Sequence, residues 1–191
     1  MVRALTLSAA LATVAACETA PLGSAFADAP ILEDGLAASD FVSEVGGGTI
    51  IGVDGSEIGE VIVQHGPKGM MLTATLTAGT ISPGWHGIHL HQVGDCSDVG
   101  EFKRSGGHLG MIPDGHGLMN PTGPEIGDLP NIFVHIDGTA GYQTFSPAVT
   151  VNDLRDTDGT ALIIHANPDD HFSQPIGGAG PRVACAVIAS G

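Results

Sequence analysis

The sequence predicts an all-β domain, a barrel or sandwich of about eight short antiparallel strands. Three observations point there. Glycine is abundant at 29 residues and aromatic residues make up only 4% of the chain, which suits short strands separated by tight turns. The apolar runs are brief, and none sustains the 3.6-residue period of an amphipathic helix. Turn pairs such as Asp137-Gly138 and Asp158-Gly159 recur between them, and such pairs supply the positive φ that close reversals need.

The 191 residues leave room for one domain and additional segments. Arg3 is followed by 13 uncharged residues, Ala4 to Ala16. That run is too short to span a bilayer as a helix and suits the core of a signal peptide over residues 1–16. It ends in Val14-Ala15-Ala16-Cys17, which resembles the lipobox of bacterial lipoproteins, with Cys17 as the lipidated first residue. The chain has 3 cysteines, so lipidation of Cys17 leaves the other two able to pair. The rival reading is cleavage after Ala25-Phe26-Ala27, which lies beyond the apolar run with Glu18 in between. Both readings export the protein, and the lipobox tethers a soluble periplasmic domain to a membrane of the cell envelope. Residues 17–40 mix Ala, Pro, Gly and acidic side chains without a sustained period and read as a tether. Residues 41–191 are then the folded domain.

Along that domain, Gly46-Gly47-Gly48 leaves the first strand weakly specified. Val61-Ile62-Val63 is β-branched and precedes the turn signal His65-Gly66-Pro67. Leu72, Ala74 and Leu76 alternate with Thr73, Thr75 and Thr77, a half-buried strand. Further strands are expected at Gly87–His91, Asn131–His135, Tyr142–Phe145, Ala161–His165 and Val183–Ile188. Two connections are long, residues 94–130 and 166–181, and loops of that length in a compact β domain are functional or mobile.

The 21 acidic residues outnumber 6 basic ones, for a formal net charge of −15. This excludes nucleic acid as a partner, because phosphates demand Lys and Arg. The ligand chemistry lies in the histidines. Alternate side chains of a strand share a face, so His89 and His91 point together, opposite to Ile88 and Leu90. With His108 and the distant His165 they make a four-imidazole set that suits copper, zinc, iron or nickel. After His108, His116, Glu125 and Asp128 follow at intervals of 8, 9 and 3 residues. Two histidines with carboxylates in a Gly-rich loop suit tetrahedral Zn²⁺.

Gly87-Ile88-His89-Leu90-His91, Gly94-Asp95-Cys96, Gly106-Gly107-His108, Gly127-Asp128-Leu129-Pro130-Asn131 and Arg182-Val183-Ala184-Cys185 resemble the successive signatures of the Cu/Zn superoxide dismutase family. The form resembled is the bacterial periplasmic one, and His86 to Ile188 matches in order and in most spacings. The resemblance implies a Greek-key β-barrel that converts superoxide to O₂ and hydrogen peroxide by alternate reduction and oxidation of copper. It implies copper on His89, His91, His108 and His165, and zinc on His108, His116 and Asp128. His108 is then the bridging residue and a proton source. The resemblance further implies a Cys96–Cys185 disulfide and Arg182 as the group that receives the superoxide anion. Asp169 falls where a family carboxylate links a copper histidine to a zinc histidine. Both monomers and homodimers occur in the family, and both stay open.

The departure is Glu125, which stands where the family has a third zinc histidine. A carboxylate can ligate zinc, so the expected site is two His, one Glu and one Asp, with one more negative charge. A weakened or empty zinc site is the competing outcome. The alternative function is an envelope domain that binds and buffers copper with little turnover. His86 is expected to make a structural hydrogen bond, His135 and His171 to lie outside any metal site, and Lys103 and Arg104 to form a solvated turn.

Overall fold

The computed structural model describes residues 42–77, 79 and 81–188. The signal segment, Cys17 and the tether lie outside the described residues. Among the described residues nine strands form: β1 (Ser43–Gly52), β2 (Glu57–Gly66), β3 (Gly69–Leu76), β4 (Gly84–His86), β5 (Ile88–His91), β6 (Ile132–Val134), β7 (Ala140–Ser146), β8 (Thr160–His165) and β9 (Arg182–Ile188). Seven make one curled antiparallel sheet in the order β5-β8-β9-β1-β2-β3-β7, a half-barrel, while β4 and β6 pair separately. The order is no simple meander. Strand β7 returns beside β3, and β8 beside β5, by the long crossovers of a Greek key.

The alternation seen in sequence sets the core. Along β3, Met70, Leu72, Ala74 and Leu76 are buried while their neighbours are partly exposed. Those four join Ile50, Val61, Ile88, Leu90, Leu162 and Ile164 in the main cluster. Strand β8 is buried throughout, because it is covered on both faces. Leu162 and Ile164 enter the main core, whereas Ala161 and Ile163 pack under a second cluster with Phe102 and both half-cystines.

Strand β1 does form around its three glycines, with a register irregularity between Glu44 and Gly46. A Cβ at Gly48 would overlap the Val187 carbonyl oxygen, so glycine permits the close approach of β9. A short α-helix, α1 (Val151–Leu154), appears where sequence offered only strands and turns. A capping box between Thr150 and Asp153 closes its first turn.

Two long connections cover the outer face of the sheet at its β5–β8 end: the loop from β5 to β6 and the loop from β8 to β9. The first is drawn against β5 by backbone bonds from Leu90 N–H to Gly127 O and from Leu109 N–H to Leu90 O. Tyr142 Oη also donates to Pro130 O at 2.8 Å, tying the loop's end to β7. The disulfide Cys96–Cys185 joins this loop to β9.

Candidate metal centre

Strand alternation places the first ligands. Ile88 and Leu90 point into the main core, and His89 and His91 point to the outer face, where His89 lies opposite Ile163 and His91 opposite Ala161. His165 ends β8 at a register irregularity that sets it opposite Arg182. His108 and Asp128 are carried on the long loop, and isolated bridges set His108 beside His91 and Asp128 beside His89.

The result is two adjoining clusters. His89, His91, His108 and His165 each present one ligand atom, all within 4.8 Å of one another. His108, His116, Glu125 and Asp128 do the same, and every member of both sets is buried. Asp169 joins His89 and His116 in a third, overlapping group.

Each imidazole of the first cluster is oriented by its other nitrogen. His89 Nε2 meets Asp169 Oδ2 at 2.7 Å. His91 Nδ1 donates to Gly106 O, and His165 Nδ1 to Gly180 O, both at 2.9 Å. His108 Nδ1 meets Glu125 Oε2 at 2.9 Å. The remaining nitrogens, His89 Nδ1 and Nε2 of His91, His108 and His165, are buried without a hydrogen-bond partner. Four converging orphan acceptors are costly unless a cation fills the space between them. The donor set therefore fits a nitrogen-loving transition metal.

Electrostatics favour the same state. Burial pulls His89 down to about 4, His91 to about 2 and His165 to about 3, so these rings are neutral near pH 7, as metal ligation requires. Burial also works against charge on His116, but the Asp128 and Asp169 carboxylates prevail and push it up to about 10. Despite their own burial, Asp128 and Asp169 are held well below the usual carboxylate range by hydrogen bonds, from His108 and His116 to Asp128 and from His116 and His89 to Asp169.

Glu125 does reach its cluster. Its Oε1 accepts the Ile112 N–H at 3.2 Å, which turns Oε2 toward His108. Two buried carboxylates, Glu125 and Asp128, thus face two imidazoles, a mixed donor set that fits a divalent cation such as Zn²⁺.

Arg182 lies beside the first cluster. Its Nη1 donates to Phe102 O at 2.5 Å and to Ser105 Oγ at 3.0 Å, and its Nη2 donates to Gly106 O at 2.6 Å. Gly106 O also accepts from His91, so one carbonyl fixes both a cluster histidine and the guanidinium. Two openings flank Arg182 and Ile176. One of about 500 Å³ reaches His91 and His108, and one of about 440 Å³ reaches His165.

The other histidines contribute no ligand atom to either cluster. His86 is buried between the carbonyls of His165 and Ser82, at 2.8 Å from each. His135 meets Phe133 edge to face, and His171 contacts Asn131 and the Asp169 carboxylate. Lys103 pairs with Glu101 and Arg104 with Asp95, all at the surface.

Three supporting residues escaped the sequence reading. Asn131 clasps the backbone of Asp169, accepting its N–H at 2.9 Å and donating to its carbonyl at 2.8 Å. Gln174 clasps the backbone of His116 in the same way. Ser105 is fully buried and receives Arg182. No local pattern marks such residues, since their partners are 38, 58 and 77 positions away.

A curled antiparallel half-barrel with two buried clusters of potential metal ligands sharing one histidine defines the class: a β-barrel metalloprotein with a paired centre. Known proteins of this kind match it closely. A family model described as copper/zinc superoxide dismutase (SODC) matches residues 58–188. A Cu-Zn superoxide dismutase from Caulobacter vibrioides is 45% identical over 142 residues, 71% of this chain and 80% of that protein. One from Aquifex aeolicus is 37% identical over 145 residues, 73% of this chain and 84% of that protein. The Cu/Zn superoxide dismutase from Brucella abortus superposes with a TM-score of 0.61 at 25% identity, covering 78% of this chain and 99% of that one. The chain belongs to the Cu/Zn superoxide dismutase family.

Proposed function

We propose that the protein is a superoxide dismutase whose copper is held by His89, His91, His108 and His165. The observation that carries this is the set of four buried imidazole nitrogens, all without hydrogen-bond partners and within reach of one ion. Bound there, copper would supply a one-electron couple, through which one superoxide could leave as O₂ and a second, taking up two protons, as hydrogen peroxide. Zinc is the second cofactor, held by His108, His116, Asp128 and Glu125.

The chain's own groups do the rest. Arg182 offers the anion a fixed guanidinium beside the first cluster. His108 sits between the clusters and can hold a proton at Nε2 while Nδ1 remains engaged on the other side. Asp169 fixes the rings of His89 and His116 from a single carboxylate, coupling the geometry of the two clusters. Burial of His89, His108, His116 and Asp169 keeps their hydrogen bonds strong.

The domain spans residues 41–191, and residues 1–16 export it to the periplasm. Cys17 is the lipidated residue that anchors it through the tether 17–40. These readings rest on the apolar N-terminal run and the lipobox-like Val14-Ala15-Ala16-Cys17. No helix among the described residues is long and apolar enough to cross a membrane.

The test is superoxide decay by stopped-flow on copper-reconstituted protein, with metal analysis of the same sample. Copper-dependent turnover is expected. Stoichiometric copper without turnover would instead support a copper-buffering domain, the reading that Glu125 favours by altering the second cluster.

A further inference from the structure

We infer that the mouth of the metal centre also binds amphiphilic organic anions, small monocarboxylates with an aliphatic or aromatic body. The inference rests on the copper site and Arg182 as proposed above and adds a ligand class to that site.

Superoxide is diatomic, and an opening that only admits it needs neither large volume nor apolar walls. The larger opening encloses about 500 Å³, within the range that small-molecule ligands fill. Its walls are Met111, Ile112, Pro113, Pro175 and Ile176. Met111 is 58% exposed and Ile112 42%. Large apolar side chains gathered around a concave, polar-floored opening mark a binding site, whereas scattered ones do not. The wall is continuous with the centre itself. The thioether of Met111 lies where a Cβ on Gly107 would be, immediately before His108.

Arg182 borders this space and supplies the charge, beside the copper that His91 and His108 would hold. The recorded partners of the guanidinium are two carbonyls and a hydroxyl, all uncharged, so its positive charge is not neutralised by pairing. Lys103 and Arg104 differ, each being paired with a carboxylate. Of the carboxylates at this opening, Glu125 is turned inward onto His108 and Ile112 N–H. Asp114 is exposed at the rim, where water and salt screen it. A negative head with an apolar body matches cationic floor and apolar wall together. The other opening carries Glu101 and Lys103 and has no such wall.

Calorimetric titration of the copper-loaded protein with acetate, hexanoate and hexylammonium tests this without relying on turnover. A dismutase assay on the same sample reads the proposed activity separately. Hexanoate should bind at least about tenfold tighter than acetate, as half-burial of its four additional methylenes provides. Hexylammonium should not bind. Combining Met111→Gln with Ile112→Thr should bring hexanoate down to the affinity of acetate at unchanged copper content, and Arg182→Ala should weaken both carboxylates alike. Equal affinity for acetate and hexanoate, or equal binding of hexylammonium, overturns the inference while leaving the dismutase reading intact. So does a fall in solution mass in the Met111→Gln, Ile112→Thr protein, which would show that a second copy covers these walls. A protein that retains no copper overturns both.

Discussion

Removing the disulfide tests how far a covalent link outside the ligand set supports the centre. The bond joins residues 89 positions apart. In a chain-entropy model, closing a loop of that size restricts the unfolded chain by about 4.5 kcal/mol at 25 °C. Cys96 and Cys185 are also buried, in the cluster with Phe102, Ala161 and Ile163, so replacing both with Ala leaves little polar surface to rehydrate. For a domain of about 150 residues, 1 kcal/mol corresponds to roughly 2–4 °C in Tm, so the loss should lower Tm by about 10–15 °C. The comparison is made on metal-free protein, because bound metal adds stability by mass action and would mask the difference. The functional consequence follows from the same link. The segment after Cys96 carries Phe102 O, Ser105 Oγ and Gly106 O, which hold Arg182. Copper-loaded Cys96→Ala, Cys185→Ala protein should therefore lose activity at temperatures where it remains folded. Circular dichroism melts read the stability; a drop of less than about 3 °C refutes the entropic argument.

Further outcomes follow from the site. Asp169→Asn removes the carboxylate shared by His89 and His116 and should weaken both metal sites by about 10–100-fold in competition titrations; unchanged affinities would remove its orienting role. Arg182→Ala should lower the rate of superoxide decay and flatten its dependence on salt, and an unchanged salt profile contradicts steering. Glu125→His should raise zinc retention at unchanged copper content, read by metal analysis; identical zinc content would mean the carboxylate serves as well as an imidazole. Metal-free protein should be most stable near pH 6.5, the ordinary histidine value. Below it, the unfolded chain takes up protons that buried His89, His91 and His165 refuse until about 4, 2 and 3, so stability falls with pH. Above it, His116 stays charged in the folded state up to about 10, and its contribution fades as pH rises toward that value. Melting temperatures that climb steadily from pH 6.5 to 9 would contradict these assignments.

Three of the first cluster's four histidines were legible because strand geometry is local. His89 and His91 share a face by alternation alone, and the buried run Ala161–His165 ends on a third ligand. Loop ligands were legible only through their spacing and the family resemblance, since nothing local says that His108 and Asp128 fold back along β5. Glu125 stood out as a departure, but its reach depends on the Ile112 N–H that turns its carboxylate, a contact no spacing reveals. Asn131, Gln174 and Ser105 were invisible for a related reason: each acts through one or two hydrogen bonds to a partner far along the chain. Helix α1 was missed because a four-residue helix is set by its Thr150–Asp153 capping box and leaves no periodicity. Strand β1 was underspecified by its glycines, whose role is the close approach of β9.

The central claim is that His89, His91, His108 and His165 gather around one copper ion. X-ray absorption at the copper edge, on protein loaded with one equivalent, tests it most directly. Imidazole scattering from nitrogen neighbours at about 2 Å, diminished when His165 is replaced by Ala, is the expected result. A sulfur or all-oxygen shell, or a spectrum indifferent to His165→Ala, would contradict it.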